Sequence, residues 1–476
     1  MPNPSCVIVW FRKDLRLSDN PALAKAGESG LPVLPLFILD EEGEGEWPDG
    51  AASRWWLHHS LARLGEQLES LGSRLILRRG SSWQVLSDLV ESEAAVEVYW
   101  NRRYEPAIVD RDTEIKKRLA DIGAQGRSFN GSLLHSPPQI ANKSGSPFKV
   151  FTPFWKHLKP RSVRQLSDAP KTLEAPQKWP QSDPLEAFDL LPEIPWDEAF
   201  YDHWTPGEKG ARERLSMFAK QGLARYDDQR DLPAEDGVSR LSPHLHFGEI
   251  SPVQLWRELE SDEAEPYLRQ IVWREFAHHL LFHFPDTPSK PLRPEFEDFP
   301  WKKNQKALRA WKKGQTGYPI VDAGMRQLWT TGWMHNRVRM IASSFLVKHL
   351  LIPWQEGAAW FWDTLVDADL ANNTMGWQWI GGCGADAAPY FRIFNPITQG
   401  QRFDSEGEYV RRWVPELAKL PNKYLFAPWE ASEEELESAN VTLGETYPRP
   451  IVGHAEGRQA ALDAYQRMKE KKEEAS

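Results

Sequence analysis

Four short runs of β-branched, aromatic and aliphatic residues in the first 130 positions constrain the fold most strongly. They are VIVWF, VLPLFIL, LILR and VEVYW, which begin at positions 7, 33, 75 and 96. The segments between them place apolar residues three and four positions apart, which predicts helices, for example over 53–71. Strands that alternate with helices are typical of βαβ units, so we predict a Rossmann-like parallel sheet. No GxGxxG follows the first run, so the dinucleotide fingerprint is absent there.

The rest of the chain changes character twice. Twelve of the 37 prolines lie between Gly131 and Pro206, which predicts a long and mostly irregular connector. Beyond it, one-sided apolar spacing predicts helices over 210–220, 266–284, 322–329, 337–351 and 357–370. We therefore predict an α/β N-terminal domain, a connector and a large all-α domain, at residues 1–130, 131–205 and 206–476.

Composition excludes several classes of protein. Cys6 and Cys383 are the two cysteines, too few for a disulfide scaffold or a four-cysteine metal site. No apolar run approaches the roughly 18 residues of a membrane span, and the N-terminus lacks a secretory pattern, so we expect a cytoplasmic protein. The net charge of −10 argues only weakly against nucleic acid, because a local basic face can lie within an acidic total.

The segment GWQW contains Trp377 and Trp379, two positions apart. In a helix such residues differ by about 200° around the axis, so we expect them to face opposite sides. Asp367 and Asp369 precede them in an apolar stretch that we predict to be helical. Carboxylates in such surroundings usually accept specific hydrogen bonds. Composition also fits a core helix with polar capping residues, and both interpretations remain open here.

Three further patterns suggest binding. A turn at Gly237–Ser239 precedes a helix start at Ser242, and backbone N–H groups at such a point can bind phosphate, although Ser-Pro helix starts are common without ligands. Helical steps of three and four align one set of residues at 270, 273, 274 and 277 and another at 336, 337 and 340. The histidines at 278, 279, 283 and 335 lack HExxH spacing, so we predict packing or surface roles and no metal site.

Eight segments, in this order, resemble the photolyase/cryptochrome family over about residues 6–455. They are WFRKDLRLSDNPAL, RLSPHLHFGEISP, WREF, TGYPIVDAGMRQL, TGWMHNRVRM, DADLANN, GWQW and DAAPYFRIFNP. The resemblance implies an N-terminal α/β antenna domain and a helical domain that binds bent FAD. It also places residues at the flavin, with a salt bridge expected between Arg339 and Asp367. These residues are Tyr226, Val238, Ser239, Arg240, Leu241, Ser242, Arg274, Arg339, Asp367, Asp369 and Asn373.

Two of these positions carry information about activity. Val238 stands where many relatives have threonine, so a hydroxyl is missing although the backbone N–H remains. Asn373 occupies the position that faces flavin N5, where plant cryptochromes typically have aspartate and animal ones cysteine. An uncharged amide does not repel an anionic reduced flavin, and the resemblance associates it with repair enzymes.

The resemblance answers why two tryptophans lie so close together. Trp377 resembles the flavin-proximal member of an electron-transfer chain that continues through Trp354 to an exposed Trp301. Trp379 resembles one wall of a lesion pocket, facing Trp273, and Gln270, Asn336 and Met340 complete that pocket. DNA phosphates are expected at Arg230, Arg337, Arg392 and Arg402, with further positive charge from residues 302–313.

The family resemblance is strongest to microbial photolyases of class I and class III that act on cyclobutane pyrimidine dimers. It implies light-dependent repair of UV-damaged DNA by a monomer. Common dimer-repair enzymes have glutamate at the position of Gln270, whereas (6-4) photolyases have glutamine. Repair of the (6-4) photoproduct therefore stays an alternative. A cryptochrome-like blue-light receptor is the other alternative. The resemblance favours methenyltetrahydrofolate as a second, antenna chromophore, with a deazaflavin also possible.

Overall fold

Five strands form one parallel sheet in the computed structural model, which describes residues 6–474. The sheet order is β3-β2-β1-β4-β5. Residues of β1 and their neighbours are buried on both faces, as expected for a parallel sheet covered by helices. The α/β prediction is confirmed. The strands are β1 (Cys6–Phe11), β2 (Val33–Leu39), β3 (Ile76–Arg79), β4 (Ala95–Asn101) and β5 (Gln125–Phe129).

Strand β5 is not predicted by the sequence pattern. This strand, QGRSF, pairs only with β4 and its residues are half-buried or exposed. An edge strand buries little side-chain surface, so its apolar pattern is weak, while its backbone hydrogen bonds leave no mark on composition. The other four runs coincide with strands to within one residue at each end.

Twenty α-helices account for most of the remaining regular structure between residues 6 and 474. In chain order, α1–α20 are Pro21–Gly27, Ala51–Ser70, Ser82–Ser92, Pro106–Asp121, Phe151–Leu158, Phe200–His203, Glu208–Met217, Tyr226–Gln229, Ser242–His246, Pro252–Leu259, Glu265–His283, Gln305–Lys312, Pro319–Thr331, Asn336–Ser344, Trp354–Thr364, Leu370–Gly381, Pro396–Phe403, Glu408–Trp413, Glu433–Ser438 and His454–Glu474. Helices α7 and α14 each continue into a π-helical turn, at Phe218–Gly222 and Phe345–His349.

The prediction of one helix over 357–370 is wrong. Helix α15 ends at Thr364, Leu365 adopts an extended backbone, and α16 starts at Leu370. Asp367 and Asp369 therefore lie in a non-helical break rather than on a helix. Short polar side chains such as aspartate compete for backbone hydrogen bonds and favour such breaks. Trp377 and Trp379 do lie on one helix, α16, with Trp377 buried and Trp379 half-buried.

Contacts divide the chain into two compact units. The first unit comprises the chain up to Ala224 together with Ser239–Pro285 and Val366–Leu370. The second unit comprises Arg225–Val238, Asp286–Leu365 and the chain from Ala371 onward. The domain boundaries expected from the sequence remain predictions. None of the helices between residues 6 and 474 is long and apolar enough to cross a membrane.

Candidate functional site

A buried carboxylate organises one part of the first unit. Asp369 Oδ2 lies 3.3 Å from His278 Nε2 and 3.9 Å from His246 Nδ1. Burial alone would raise the pKa of Asp369, but the positive charge of His278 and hydrogen bonds from both histidines hold it well below its usual range. Within the described residues, His246 Nε2 is buried without a hydrogen-bond partner. Because the pKa of Asp369 lies well below its usual range, this carboxylate is ionised.

Helix α11 is fixed to the segment that follows β5. Arg274 Nη1 donates to Ser132 O at 2.8 Å, and Glu275 accepts hydrogen bonds from two backbone N–H groups, at Leu134 and His135. These bonds set the rotation of α11 about its axis, and with it the direction in which the residues of the preceding turn point.

Gln270 and Trp273 lie one turn apart on α11, and both are half-buried. The ring of Trp273 stacks on Phe151, with ring centroids 3.6 Å apart and planes 6° apart. One face of Trp273 is thus already covered. Gln270 Nε2 lies 3.4 Å from Pro266 O, a long contact that leaves the amide able to bond elsewhere.

The turn before helix α9 is held by its serine. The Ser239 hydroxyl accepts from Tyr267 Oη at 3.0 Å and from Leu241 N at 3.3 Å. Arg240 has a φ of 51°, in the left-handed region that non-glycine residues rarely adopt. Leu241 is buried, whereas Ser242, the first residue of α9, is exposed. The predicted helix start at Ser242 is confirmed, whereas Gly237–Ser239 form an irregular segment with a bend at Val238. The phosphate role remains a prediction.

The predicted flavin residues of the second unit are anchored individually. Tyr226 is buried on α8 and Val238 is half-buried. Arg339 Nε donates to Met334 O at 2.7 Å, which fixes the guanidinium within its own turn. Asn373 Nδ2 donates to Ala358 O at 3.0 Å and so connects α16 to α15. The expected Arg339–Asp367 salt bridge remains a prediction.

A line of tryptophans runs through the second unit. Trp377 is 2% exposed, and its ring centroid lies 5.0 Å from that of Phe361 and 6.2 Å from that of Trp311. An ideal Cβ at Gly357 would stand 2.0 Å from Cη2 of Trp377, so the ring lies directly on this glycine. Gly357 is one helical turn beyond Trp354, which is also buried. An ideal Cβ at Gly381, one turn beyond Trp377 on α16, would stand 3.9 Å from Cδ1 of Trp354, so both indoles lie at the contact between α15 and α16.

Trp301, the third tryptophan of this line, lies near the segment that precedes α15. Lys302 N donates to Leu351 O at 2.7 Å, which holds the Trp301 segment against the residues that precede Trp354. The expectation of an exposed Trp301 is corrected, because the side chain is half-buried with its ring centroid 4.4 Å from that of Phe299. It still reaches solvent.

Among the residues predicted to contact DNA, Arg337 already forms an ion pair within the protein. Arg337 Nη2 lies 2.7 Å from Asp231 Oδ2, and its guanidinium lies 4.3 Å from the Phe403 ring. Asn336 is exposed at the start of α14, with Nδ2 3.9 Å from Met340 Sδ one turn later. The remaining guanidiniums each lie over an aromatic ring at 5.1–6.0 Å: Arg230 over Tyr226, Arg392 over Phe394 and Arg402 over Phe403.

The basic segment around α12 lies beside a pair of stacked tryptophans that the sequence does not predict. Its six cations have no carboxylate partner in the described part of the chain: Lys302, Lys303, Lys306, Arg309, Lys312 and Lys313. Lys312 Nζ lies 4.7 Å from the ring of Trp360, and Trp360 lies parallel to Trp329 with centroids 6.0 Å apart. Trp329 is 55% exposed. Spacing of 31 residues between the two tryptophans gave no sequence signal.

A cavity opens at the carboxyl ends of β1, β2 and β4, the edge of a parallel sheet where ligands usually bind. It holds about 570 Å³ of space, part of it open to solvent. Its cations are matched by carboxylates: Lys13 with Asp49, Arg103 with Glu44, Arg111 with Asp40, and Arg54 with Glu41. No group of three His, Cys, Asp or Glu side chains within residues 6–474 is placed to hold a metal ion.

Comparison with known proteins identifies the family. The family described as "DNA photolyase" matches residues 7–177, and "FAD binding domain of DNA photolyase" matches residues 267–467. A deoxyribodipyrimidine photo-lyase of Agrobacterium fabrum is 51% identical over 472 residues, covering 97% of this chain and 98% of that protein. The chain belongs to the DNA photolyase and cryptochrome family.

Other members of the photolyase and cryptochrome family agree with this. The crystal structure of a class III photolyase from Agrobacterium tumefaciens has a TM-score of 0.95 and 51% identity, covering 98% of each chain. Cryptochrome-1 of Arabidopsis thaliana is 39% identical, covering 97% of this chain and 70% of that protein. The segment that matches the FAD-binding domain of DNA photolyase, residues 267–467, includes Trp273, Asn336 and Asn373. It also includes Trp301, Trp354 and Trp377.

The residues present suit FAD. In the first unit, the ionised Asp369 offers an acceptor of the kind that a flavin N–H group needs, and Ser239 and Ser242 offer hydroxyls of the kind that bind phosphate. In the second unit, Arg339 supplies a cation and Asn373 an uncharged amide. These are the donor and acceptor types that an anionic dinucleotide with an imide ring requires.

Proposed function

We propose that this chain is a deoxyribodipyrimidine photolyase that splits cyclobutane pyrimidine dimers in UV-damaged DNA. FAD, when bound and reduced, supplies the electron that blue or near-UV light transfers to the dimer. The observation that carries the proposal is the neutral Asn373, whose amide is held by Ala358 O and so presents no negative charge beside a reduced flavin.

The flavin is proposed to contact two sets of residues. Arg274 is fixed by its bond to Ser132 O, and Arg339 by its bond to Met334 O, so both side chains are held before a ligand arrives. Such preorganisation reduces the entropy lost on binding. The first set is Ser239, Arg240, Leu241, Ser242, Arg274, Asp367 and Asp369; the second is Tyr226, Val238, Arg339 and Asn373.

The dimer is proposed to be recognised as two adjacent bases of one strand, turned out of the duplex. A dimer is already poorly stacked, so extruding it costs less than extruding an intact pair. Trp273 offers one ring face, since Phe151 covers the other, and Trp379 is only half-buried. Each aromatic contact stabilises a stacked base by about 1–3 kcal/mol. Gln270, Asn336 and Met340 are proposed to complete the pocket, and Arg230, Arg337, Arg392 and Arg402 to contact phosphates.

The tryptophan line is proposed to reduce oxidised flavin rather than to act in repair itself. Trp377 and Trp354 are both 2% exposed, and the Trp377 ring lies on Gly357, one helical turn beyond Trp354, while Trp301 reaches solvent. A hole that moves from Trp377 through Trp354 to Trp301 would leave the buried interior and be quenched by external reductant.

The second chromophore is proposed to be a folate, methenyltetrahydrofolate, bound at Trp329 and Trp360. A folate has a planar pterin ring at one end and an anionic glutamate at the other. The parallel rings offer a stacking surface, and the six unpaired cations of the α12 segment offer charge. In the cavity at the sheet edge the cations already have carboxylate partners. A deazaflavin in that cavity is the alternative.

One experiment with two variants distinguishes these chromophores. A folate at the tryptophan pair predicts that Trp329→Ala removes a near-UV absorption band of the purified protein while FAD content stays the same. Arg111→Ala, which alters only the cavity, should leave that band unchanged. Loss of the band in Arg111→Ala alone would favour the cavity.

Gln270 supports (6-4) photoproduct repair as a second candidate. A glutamine donates and accepts but cannot supply charge or a proton to a dimer radical. Reduced protein should be illuminated separately with oligonucleotides that carry each lesion, with a dark sample as control. Repair of the dimer supports the proposal, repair of only the (6-4) lesion replaces it, and repair of neither leaves a cryptochrome-like receptor. A monomeric state and a cytoplasmic location remain predictions.

A further inference from the structure

The ring of His278 has an acceptor at each nitrogen. Nδ1 lies 3.0 Å from Arg274 O, and a carbonyl oxygen can only accept, so Nδ1 carries a proton. Nε2 lies 3.3 Å from Asp369 Oδ2. An ionised carboxylate also only accepts, so Nε2 must carry a proton as well. With Asp369 ionised, the two contacts together give a doubly protonated, cationic ring.

The next residue on α11 provides a direct contrast. His279 Nε2 accepts a hydrogen bond from Phe148 N at 3.0 Å, so that nitrogen carries no proton and the ring is neutral. Burial lowers the pKa of His279 to about 3. His246, on α9, lies farther from the Asp369 carboxylate, at 3.9 Å, and burial lowers its pKa too. Only His278 of these three faces two acceptors.

We propose that His278 is a cationic positioning residue that keeps Asp369 ionised and oriented toward the flavin. This inference rests on the proposed function, because that function places Asp369 at the flavin. A buried carboxylate without a cation would take up a proton and become a donor as well as an acceptor. Other charges near the pair come from Arg274 and Glu275 on α11, His246 on α9 and Glu105, which immediately precedes α4.

Nitrogen-15 NMR of the FAD-bound protein, labelled at histidine, tests the charge state. We expect one ring, assigned by its loss in His278→Asn, to have protons on both nitrogens throughout the neutral pH range. His279, assigned by His279→Asn, should have a single proton, and that substitution should leave the His278 signal doubly protonated. Asp369→Asn should convert His278 to the singly protonated form. A singly protonated His278 at neutral pH in the parent protein would overturn the inference.

The flavin midpoint potential tests the positioning role. In His278→Asn the flavin midpoint potential should depend on pH more strongly than in the parent. It should be lower at high pH and should rise as pH falls, because Asp369 then takes up a proton. His246→Asn should give a smaller change, because its nitrogen lies farther from the carboxylate. A potential that parallels the parent at every pH would reject the role.

The two failures can be told apart. If the parent protein bound no FAD, the proposed function would fail, whereas the protonation of His278 would still be read in that protein. If the protein bound FAD and repaired dimers but His278 had a single ring proton, the inference alone would fail.

Discussion

The ring of Trp377 lies on the α-carbon of Gly357, so closely that an added methyl group would stand 2.0 Å from Cη2. Glycine at this position is what allows α16 to place a buried indole against α15. Because Trp354 precedes Gly357 by one turn, the same glycine sets the separation between two members of the proposed electron-transfer line.

Gly357→Ala should therefore displace the indole. Overpacking of this kind lowers the free energy of unfolding by about 1–3 kcal/mol, and we expect photoreduction of oxidised FAD to slow with it. Urea unfolding and illumination in the presence of reductant measure the two effects. Gly376→Ala is the matched control, since a Cβ there meets nothing within 4 Å and the residue lies in the same helix as Trp377. Equal effects of both substitutions would contradict the contact.

Trp377→Phe should slow photoreduction but spare repair by enzyme that has been reduced chemically beforehand. The phenyl ring keeps much of the packing against Phe361 while being harder to oxidise than indole. Flavin absorbance during illumination measures the first activity and loss of dimers measures the second. Trp100→Phe, in the sheet of the first unit, serves as a control for removal of a buried tryptophan. Loss of both activities in Trp377→Phe would remove Trp377 from the line.

Trp379→Ala should weaken binding of dimer-containing DNA by roughly 5- to 150-fold, the equivalent of about 1–3 kcal/mol of lost stacking. The FAD content should not change. Titration of damaged and undamaged oligonucleotides at one salt concentration gives both dissociation constants. If the parent bound the two oligonucleotides equally, the proposed pocket wall would have no basis.

Arg337 is held by Asp231 at 2.7 Å, so its charge is shared before DNA binds. Asp231→Asn should raise DNA affinity, because a competing carboxylate is removed. Arg337→Ala should lower affinity and reduce the slope of log K against log salt by about 1. Lys209→Ala, at an exposed position of the first unit, is the control. An unchanged slope in Arg337→Ala would show that Arg337 meets no phosphate.

Lys348 should make stability depend on pH. Burial, and secondly the charge of Arg392, lower the pKa of Lys348 from 10.5 to about 7, and its ammonium group donates to Arg392 O at 2.9 Å. Between those pH values the unfolded chain binds more protons than the folded one, so this group's contribution to stability rises with pH and is least favourable below about 7.

Lys348→Met removes that contribution. As pH rises from about 7 towards 10, the free energy of unfolding of the parent should increase by about 3 kcal/mol relative to that of the variant. Chemical denaturation at several pH values measures it. Lys303→Met, at an exposed position, should show no such change. A constant difference for Lys348→Met would mean that Lys348 is not shifted on folding.

The sequence alone determined the parallel sheet and the helical remainder, because buried strands and amphipathic helices must repeat apolar residues at fixed periods. It also separated Trp377 from Trp379, since two positions along a helix reverse the direction of a side chain. The family motifs then located the residues expected at FAD and DNA.

Tertiary structure decided what periodicity cannot encode. The break at Asp367 and Asp369 interrupts an apolar pattern that would otherwise continue a helix, and the edge strand β5 has too little buried surface to produce one. The charge of His278 depends on which atoms face its two nitrogens, and the role of Gly357 depends on a ring 20 residues away in sequence. Contacts between distant residues fix protonation and fit, because both depend on the groups within a few ångströms and not on neighbours along the chain.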